Sequence, residues 1–301
     1  MCGEALIDMV HHGDAPPRAT PGGGPFNTAR ALARLGAPAA FLGRLSSDEF
    51  GEELARLLAS DGASLELASI GPEPTTIALA GIDAGGRAEY RFLVDGTSAP
   101  NLTREMVPDH LGQEVDALHV GSLGMVLEPM ATTLVDLLRR ERDGRVVMLD
   151  PNIRPGLGDE ADYRARLKDV ISRSTIVKAS DADLAWLYPD HTFQSAADRM
   201  IGEGVPLVVV TLGAEGAYGA HGEHRVRVDA VPVPVVDTIG AGDAFGAAVL
   251  AWMHDHHALR PDVQLDREQL TAALRFACQA AAITCSRSGA DPPWRWEMPD
   301  G

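Results

Sequence analysis

Short apolar runs rich in β-branched residues alternate along this chain with longer amphipathic segments. The predicted strands are residues 5–10, 39–42, 117–120, 146–149, 176–179 and 207–211, and the predicted helices are residues 27–35, 48–60, 129–142, 163–172 and 196–203. Several strands are apolar on both faces, which is typical of strands buried in a parallel sheet. We therefore expect an α/β fold of three layers, with a mostly parallel central sheet and helices on both faces.

Residues 75–95 break this alternation. Two runs of alternating pattern, 75–83 and 88–95, are joined by a turn that contains Gly85 and Gly86. This pattern is typical of a β-hairpin. A hairpin outside a parallel sheet is a candidate lid or dimerisation surface, and the alternative is an antiparallel edge of the main sheet. The Pro- and Gly-rich stretch 13–24 is predicted to be a loop.

Charge and cysteine content restrict the classes of partner. The 301 residues carry a net charge of −17, which repels nucleic acid and anionic membranes. A small polyanion would need a metal ion, helix N-termini or a few arginines at its site. The three cysteines, Cys2, Cys278 and Cys285, show no paired spacing. We expect a cytoplasmic protein with reduced thiols that binds neither nucleic acid nor membrane.

A glycine-rich turn lies late in the chain, after an extended apolar stretch predicted at residues 233–236. From residue 237 to 246 it reads Asp-Thr-Ile-Gly-Ala-Gly-Asp-Ala-Phe-Gly. Gly240 and Gly242 allow successive backbone N–H groups to converge on an anion, and the dipole of the following helix adds to the attraction. Asp243 beside that cradle can accept the proton of an attacking hydroxyl, and its alternative role is helix capping.

Two common nucleotide-binding motifs are excluded for this turn. The chain contains no Gly-Lys pair, so the turn is not a P-loop. Gly246 follows Gly242 at the wrong spacing for a dinucleotide-binding fingerprint, and the turn lies too late in the chain for one.

The turn resembles the C-terminal signature of the ribokinase-like (pfkB-type) carbohydrate kinases. Residues 3–8, Gly-Glu-Ala-Leu-Ile-Asp, are similar to the opening strand of that family. Residues 22–27, Gly-Gly-Gly-Pro-Phe-Asn, resemble its N-terminal signature. Residues 118–123, 150–155 and 289–293 are most similar to the corresponding segments of bacterial fructokinases.

The resemblance implies a single kinase domain over residues 1–301, with lid insertions at residues 10–22 and 74–96. It implies transfer of the γ-phosphoryl group of ATP to a hydroxymethyl group of a small sugar, with D-fructose favoured. A 2-keto-3-deoxygluconate kinase is the alternative. Ribose or a nucleoside as acceptor, and a non-catalytic sugar-sensing protein, are further alternatives.

The family pattern also assigns site residues. It implies Asp243 as the catalytic base, beside an anion hole of Gly240, Ala241 and Gly242. The residues it implies for sugar binding are Asp8, Gly22, Gly23, Asn27, Arg154 and Asp243. Those it implies for nucleotide binding are Ser180, Thr211, Gly213, Gly216, Gly240 and Gly242.

Two cations and a dimer complete these expectations. The resemblance implies a monovalent cation, K⁺, at Asp237 and the Ile239 carbonyl, and Mg²⁺ bound with ATP. Many relatives carry Asn and Glu for the magnesium water shell at positions where Ser180 and Asp183 stand here. We expect Asp183 to act on Mg²⁺ through water, and a homodimer through the lid is a further hypothesis.

Overall fold

The computed structural model describes residues 1–10, 18–82 and 88–299. Its strands are β1 (Leu6–Val10), β2 (Arg18–Gly22), β3 (Arg44–Ser46), β4 (Ser69–Gly71), β5 (Ile77–Ile82), β6 (Ala88–Leu93), β7 (Ala117–Gly121), β8 (Val146–Asp150), β9 (Ile176–Ser180), β10 (Leu207–Thr211), β11 (Ala217–His221) and β12 (His224–Val228). Its α-helices are α1 (Gly24–Arg34), α2 (Glu49–Asp61), α3 (Met130–Glu141), α4 (Glu160–Ile171), α5 (Asp181–Leu187), α6 (Phe193–Gly202), α7 (Ala241–Asp255) and α8 (Arg267–Cys285). Within these described ranges, no helix is both long and apolar enough to cross a membrane.

A six-stranded sheet forms the centre of the fold, in the order β12-β11-β10-β9-β8-β7. Strands β7 to β10 are parallel, and β11 and β12 continue the sheet antiparallel. Every residue of β8 is buried, because helices α3, α4 and α6 cover one face of the sheet and α1, α7 and α8 cover the other. The predicted three-layer α/β fold with a mostly parallel sheet is confirmed.

A second, four-stranded sheet has the order β2-β1-β5-β6, and we call it the small sheet. Strand β1 runs antiparallel to β2 and parallel to β5, and the Ile7 N–H donates to the Thr76 carbonyl. The predicted hairpin is confirmed as β5 and β6, although its turn at residues 83–87 lies outside the described residues. The alternative placement on the edge of the main sheet is wrong, because the opening strand β1 pairs with β5 instead.

Two local predictions near the N-terminus are wrong. The stretch 13–24 is not a loop throughout, because residues 18–22 pair with β1 as strand β2 and helix α1 begins at Gly24; residues 11–17 lie outside the described part. Residues 39–42 do not form a strand. They make single parallel bridges from Ala40 to Ser64 and from Leu42 to Cys2. The run is too short for a strand because Pro38 precedes it and the chain bends at Gly43.

The stretch 233–236 before the glycine-rich turn is also not a strand. Proline at 232 and 234 removes the N–H donors that a sheet ladder needs. Val235 and Val236 are instead 65% and 63% exposed. Helix α7 begins at Ala241, within the glycine-rich segment, and its first residues lie beside the carboxyl ends of β8 and β9, where polar residues of the fold collect.

Candidate active site

A polar cavity of about 280 Å³ lies between the small sheet and the carboxyl ends of β7, β8 and β9. We call it the first cavity. The small sheet contributes Asp8 and Phe92, helix α1 contributes Asn27, and the start of helix α7 contributes Asp243. Carboxyl ends of parallel strands are the usual place for a binding site in such folds.

Asp243 lies in the first turn of α7 and is 8% exposed. Its Oδ2 accepts a hydrogen bond from Asn27 Nδ2 over 2.8 Å. Burial raises the pKa of the Asp243 carboxyl, while the charge of Lys178 and the Asn27 hydrogen bond oppose the rise. Asn27 Oδ1 is buried and has no hydrogen-bond partner among the described residues, so it is free to accept one from a ligand.

The glycines before α1 make room for the Asp8 carboxylate. A Cβ on Gly22 would lie 2.1 Å from Asp8 Oδ2, and a Cβ on Gly23 would lie 2.7 Å from the Glu4 carbonyl oxygen. Gly23 has a φ of 107°, which favours glycine, and it forms the N-cap of α1. Gly23 lines the first cavity, and Gly22 lies behind Asp8. Burial raises the pKa of Asp8 to about 6, against the attraction of Arg154.

Glu4 forms part of the floor of the first cavity and is 1% exposed. Its Oε1 accepts from the Gly24 N–H and its Oε2 from the Gly124 N–H, each over 3.2 Å. Burial raises the pKa of Glu4 to about 7, although these hydrogen bonds oppose the rise. The carboxyl therefore joins the start of α1 to the segment after β7.

Arg154 lines the first cavity from the segment after β8. Its Nη1 donates to the Asn152 carbonyl over 3.0 Å, to Asn152 Oδ1 over 2.7 Å and to the Ile153 carbonyl over 3.2 Å. Asn152 itself has a φ of 40°, a left-handed conformation that is unusual outside glycine. The guanidinium is thus fixed in orientation before any ligand binds.

A larger, mainly apolar cavity of about 610 Å³ lies on the other side of the glycine-rich turn. We call it the second cavity. All the residues that the resemblance implies for nucleotide binding except Gly240 line it, namely Ser180, Thr211, Gly213, Gly216 and Gly242. Its apolar wall includes Val233 and the half-buried Cys285.

The two cavities meet at the N-terminus of α7. Thr238 and Gly242 line both, Gly240 and Asp243 line the first, and Ala241 lines the second. Gly240 is the N-cap of α7 with a φ of 75°, and a Cβ there would lie 2.5 Å from Ala290 Cβ. The N-terminus of a 15-residue helix attracts negative charge at this junction.

Asp237 and Asp183 line neither cavity. Asp237 Oδ1 accepts from the Ile239 N–H over 3.0 Å and its Oδ2 from the Gly289 N–H over 2.9 Å, which joins the turn to the end of the chain after α8. Asp183 accepts from the Ile153 N–H and from the backbone and hydroxyl of Ser180. In the part of the chain that the structure describes, no group of three or more His, Cys, Asp or Glu residues is placed to hold a metal.

Comparison with known families explains why these residues converge. Residues 9–297 match the model of the pfkB family carbohydrate kinases. This chain belongs to that family. The identification covers nearly the whole chain, including the glycines before α1 and the turn before α7.

Relatives of this pfkB family kinase share its sequence and its fold. A fructokinase of Rhizobium leguminosarum bv. trifolii is 40% identical over 279 residues, which is 90% of this chain and 82% of the relative. The structure of a fructokinase from Xylella fastidiosa with bound ATP is 27% identical, with a TM-score of 0.88 over 99% of this chain and 94% of that one. A double mutant of the Vibrio cholerae O395 fructokinase, bound to fructose, ADP and potassium ion, is 26% identical, with a TM-score of 0.84 over 96% and 92%. The chain thus has the ribokinase-like fold.

The sequence interpretation assigned no role to several residues that line the first cavity of this pfkB family kinase. They are Glu4, Ser122, Asn152 and Lys178. Lys178 and Glu4 carried a signal that could have been used, since each is a charged residue within an otherwise apolar buried run. Ser122 and Asn152 lie in the segments 118–123 and 150–155 that resemble fructokinases, and their positive φ values of 51° and 40° appear only in the structure.

Proposed function

We propose that this pfkB family kinase transfers the γ-phosphoryl group of ATP to a hydroxymethyl group of D-fructose. The observation that carries the proposal is the position of Asp243, a buried carboxylate between a polar cavity of sugar size and an apolar cavity of nucleotide size. Support also comes from the fructokinase relatives, two of which bind ATP or fructose with ADP.

In this proposal the sugar lies in the first cavity. Asp8 and Asn27 bind its hydroxyl groups, and Arg154 reaches toward the sugar. Gly22 and Gly23 contribute by their lack of side chains, because a Cβ at either position would occupy space taken by Asp8 or by the backbone of Glu4. ATP lies in the second cavity, with its base against the apolar wall and its phosphates at the N-terminus of α7.

The chemical step follows from the position of Asp243. The hydroxyl oxygen of the sugar attacks the γ-phosphorus, a new O–P bond forms, and the bond to the β,γ-bridging oxygen breaks to release ADP. The hydroxyl proton passes to an Asp243 carboxylate oxygen. Backbone N–H groups at Gly240, Ala241 and Gly242 stabilise the charge of the phosphoryl group during transfer.

Fructose is favoured over 2-keto-3-deoxygluconate by the charge of the first cavity. Three carboxyl groups line it, those of Glu4, Asp8 and Asp243, against the two cationic groups of Arg154 and Lys178. Burial raises the pKa of the Asp8 and Asp243 carboxyls, and the charge of the Arg154 guanidinium opposes that rise at both, so this charge is shared with them. A sugar carboxylate would add a further negative charge to this set, whereas a neutral polyol only needs hydrogen bonds.

Two cations belong to the proposed site. Mg²⁺ neutralises the charge of the ATP phosphates. Asp183 accepts three hydrogen bonds from Ile153 and Ser180, which leaves about one of its four acceptor positions for a metal-bound water. We assign K⁺ to Asp237 and the Ile239 carbonyl, in the segment that Asp237 ties to Gly289.

Three broader expectations also remain proposals. Residues 1–301 form one kinase domain, in which the segments 10–22 and 74–96 act as a lid that closes over the sugar. The small sheet is the candidate surface for a homodimer. The enzyme works in the cytoplasm, where ATP is available and its three thiols stay reduced.

The proposal is tested by measuring ADP release with Mg-ATP and K⁺ against fructose, 2-keto-3-deoxygluconate, ribose and adenosine. We expect fructose to give the highest kcat/KM, and NMR of the product to show a phosphorylated hydroxymethyl carbon. Preference for 2-keto-3-deoxygluconate would reassign the acceptor. Sugar-dependent thermal stabilisation without ADP release would instead show a sensing protein. Replacing K⁺ by tetramethylammonium tests the cation assignment and should lower kcat.

A further inference from the structure

Lys178 carries a buried positive charge beside the junction of the two cavities. Its side chain is 5% exposed and lines the first cavity. Its Nζ lies 2.7 Å from Asp150 Oδ2, and the Asp150 side chain is 4% exposed. The chain contains one other lysine, Lys168, which lies on the exposed side of α4.

The sheet register explains how this charge reaches the site. Met148 of β8 pairs with Ile176 of β9. Two residues further along each strand, Asp150 and Lys178 therefore lie side by side on the same face of the sheet. That face is covered by α7. A Cβ built on Gly242, in the first turn of α7, would lie 3.1 Å from Lys178 Nζ. The ammonium therefore lies directly beside the backbone that lines both cavities.

The ammonium stays charged and keeps unused hydrogen-bonding capacity. Burial lowers the pKa of Lys178, but the ion pair with Asp150 and the charges of Asp243 and Asp183 outweigh that effect and raise it overall. An ammonium has three N–H donors. Across residues 1–10, 18–82 and 88–299, Asp150 Oδ2 is the one acceptor it contacts, so two donors remain for a ligand.

A purely structural pair is a poor explanation for this arrangement. Burying an ammonium and a carboxylate seldom stabilises a fold more than well-packed apolar residues do. The neighbouring positions of β9, Val177 and Ala179, are fully buried apolar residues. Gly242 also has no side chain, whereas a Cβ at this position would lie against the ammonium of Lys178. The arrangement keeps a cation open to the junction through which a phosphoryl group would pass.

We propose that Lys178 is a catalytic residue that donates hydrogen bonds to the non-bridging oxygens of the phosphoryl group as it moves from ATP to the sugar. Asp150 is a positioning residue that holds the ammonium in place. This inference rests on the kinase function proposed above. Lys178 neither gains nor loses a proton, because the hydroxyl proton goes to Asp243 and the leaving oxygen remains on ADP. The added charge stabilises the transferring group in the absence of a P-loop lysine.

The test compares Lys178→Met with Lys168→Met as the matched control. For Lys178→Met we expect kcat to fall about 10²- to 10³-fold, as when a donor to a transition-state charge is removed. KM for fructose should stay near the wild-type value. Calorimetry should show weaker binding of the non-hydrolysable analogue AMP-PNP with Mg²⁺ but unchanged binding of ADP, because only the analogue carries a γ-phosphate. Lys168→Met should match the wild type in all four measurements.

A second variant distinguishes a loss of catalysis from a failure to fold. Lys178→Met alone leaves Asp150 without its partner, whereas Asp150→Asn combined with Lys178→Met leaves a neutral pair that should fold. The double variant should show the same loss of kcat and the same selective loss of AMP-PNP binding. Wild-type kcat in either variant, or equal losses of ADP and AMP-PNP binding in both, would overturn the inference. A wild-type enzyme that phosphorylates no acceptor is a different result, since it overturns the kinase function itself.

Discussion

Asn27 donates a hydrogen bond to Asp243 over 2.8 Å, although 216 residues separate the two in the sequence. Asn27 lies in helix α1, and Asp243 lies in the first turn of α7. The bond therefore joins the helix next to the proposed sugar site to the helix next to the proposed phosphate site. The bond engages Oδ2 of Asp243, whereas Oδ1 lies beside Gly24, 3.6 Å from a Cβ built on that glycine.

Replacing Asp243 by Asn tests the proposed base. The substitution keeps the shape of the side chain but removes the acceptor for the hydroxyl proton, so kcat should fall about 10²- to 10⁴-fold. KM for both substrates and the thermal unfolding temperature should change little. Steady-state kinetics and thermal melts provide the check, with the exposed Asp109→Asn as the control. A variant with wild-type kcat would show that the proton goes elsewhere.

Replacing Asn27 by Ala tests the effect of the hydrogen bond on the base. That bond lowers the pKa of Asp243, so its removal should raise the pKa. The acid limb of the profile of kcat/KM against pH should move to higher pH by about one unit, the equivalent of one hydrogen bond. Asn27→Asp should move it further, because a second carboxylate would lie beside the first. An acid limb at the same pH in all three proteins would contradict the proposed coupling.

The sequence was sufficient for the layers of the fold and for the residues at turns. Runs such as 146–149 and 207–211 are apolar throughout, and only a sheet covered on both faces buries such runs completely. Gly240 was predicted from the glycine-rich turn and Gly23 from the family resemblance, and each adopts a positive φ that other residues resist. These are local requirements, so the sequence displays them locally.

The remaining features depend on which strands become neighbours. Strand β1 belongs to the small sheet, where it pairs with β2 and β5. Nothing in the sequence of residues 5–10 distinguishes it from the strands of the main sheet. The contact between Asp150 and Lys178 depends on the register of β8 against β9, which apolar runs do not specify. Glu4 is placed by hydrogen bonds to two distant glycine N–H groups. Such pairings are properties of the tertiary structure.

Replacing Glu4 by Gln tests the buried carboxyl through the pH dependence of stability. Burial raises the pKa of Glu4 from 4.5 to about 7, so the folded protein binds a proton that the unfolded chain releases. The contribution of Glu4 to stability is therefore complete below pH 4.5 and decreases as the pH rises toward 7. Across that window the wild type should lose ~3 kcal/mol relative to the variant.

The measurement for Glu4 is urea unfolding of both proteins at pH values between 5 and 8. The variant loses one hydrogen-bond acceptor at every pH, so its absolute stability is a poor indicator. The informative quantity is the difference in slope between the two curves of unfolding free energy against pH. Parallel curves would show that Glu4 is ionised throughout this range and that burial does not control its pKa.

Replacing Asp61 by Asn tests the anchoring of α1, the helix that carries Asn27. Asp61 ends α2, and its carboxylate lies 2.6 Å from Arg30 Nε and 2.9 Å from Arg34 Nε of α1. The substitution leaves two largely buried guanidinium groups without their shared anion, so we expect a loss of about 3–5 kcal/mol in the free energy of unfolding. Urea unfolding should show almost no change for Asp109→Asn, which disrupts an ion pair with Arg104 at the surface.

Kinetics of the Asp61→Asn protein separate stability from positioning. If the ion pairs hold α1 in register with α7, Asn27 should move relative to Asp243, and kcat/KM for fructose should fall at temperatures where the variant is still folded. Unchanged kcat/KM together with the predicted loss of stability would show that the hydrogen bond between Asn27 and Asp243 keeps the two helices in register without this anchor. A loss of stability no larger than that of Asp109→Asn would contradict the buried character of the Asp61 ion pairs.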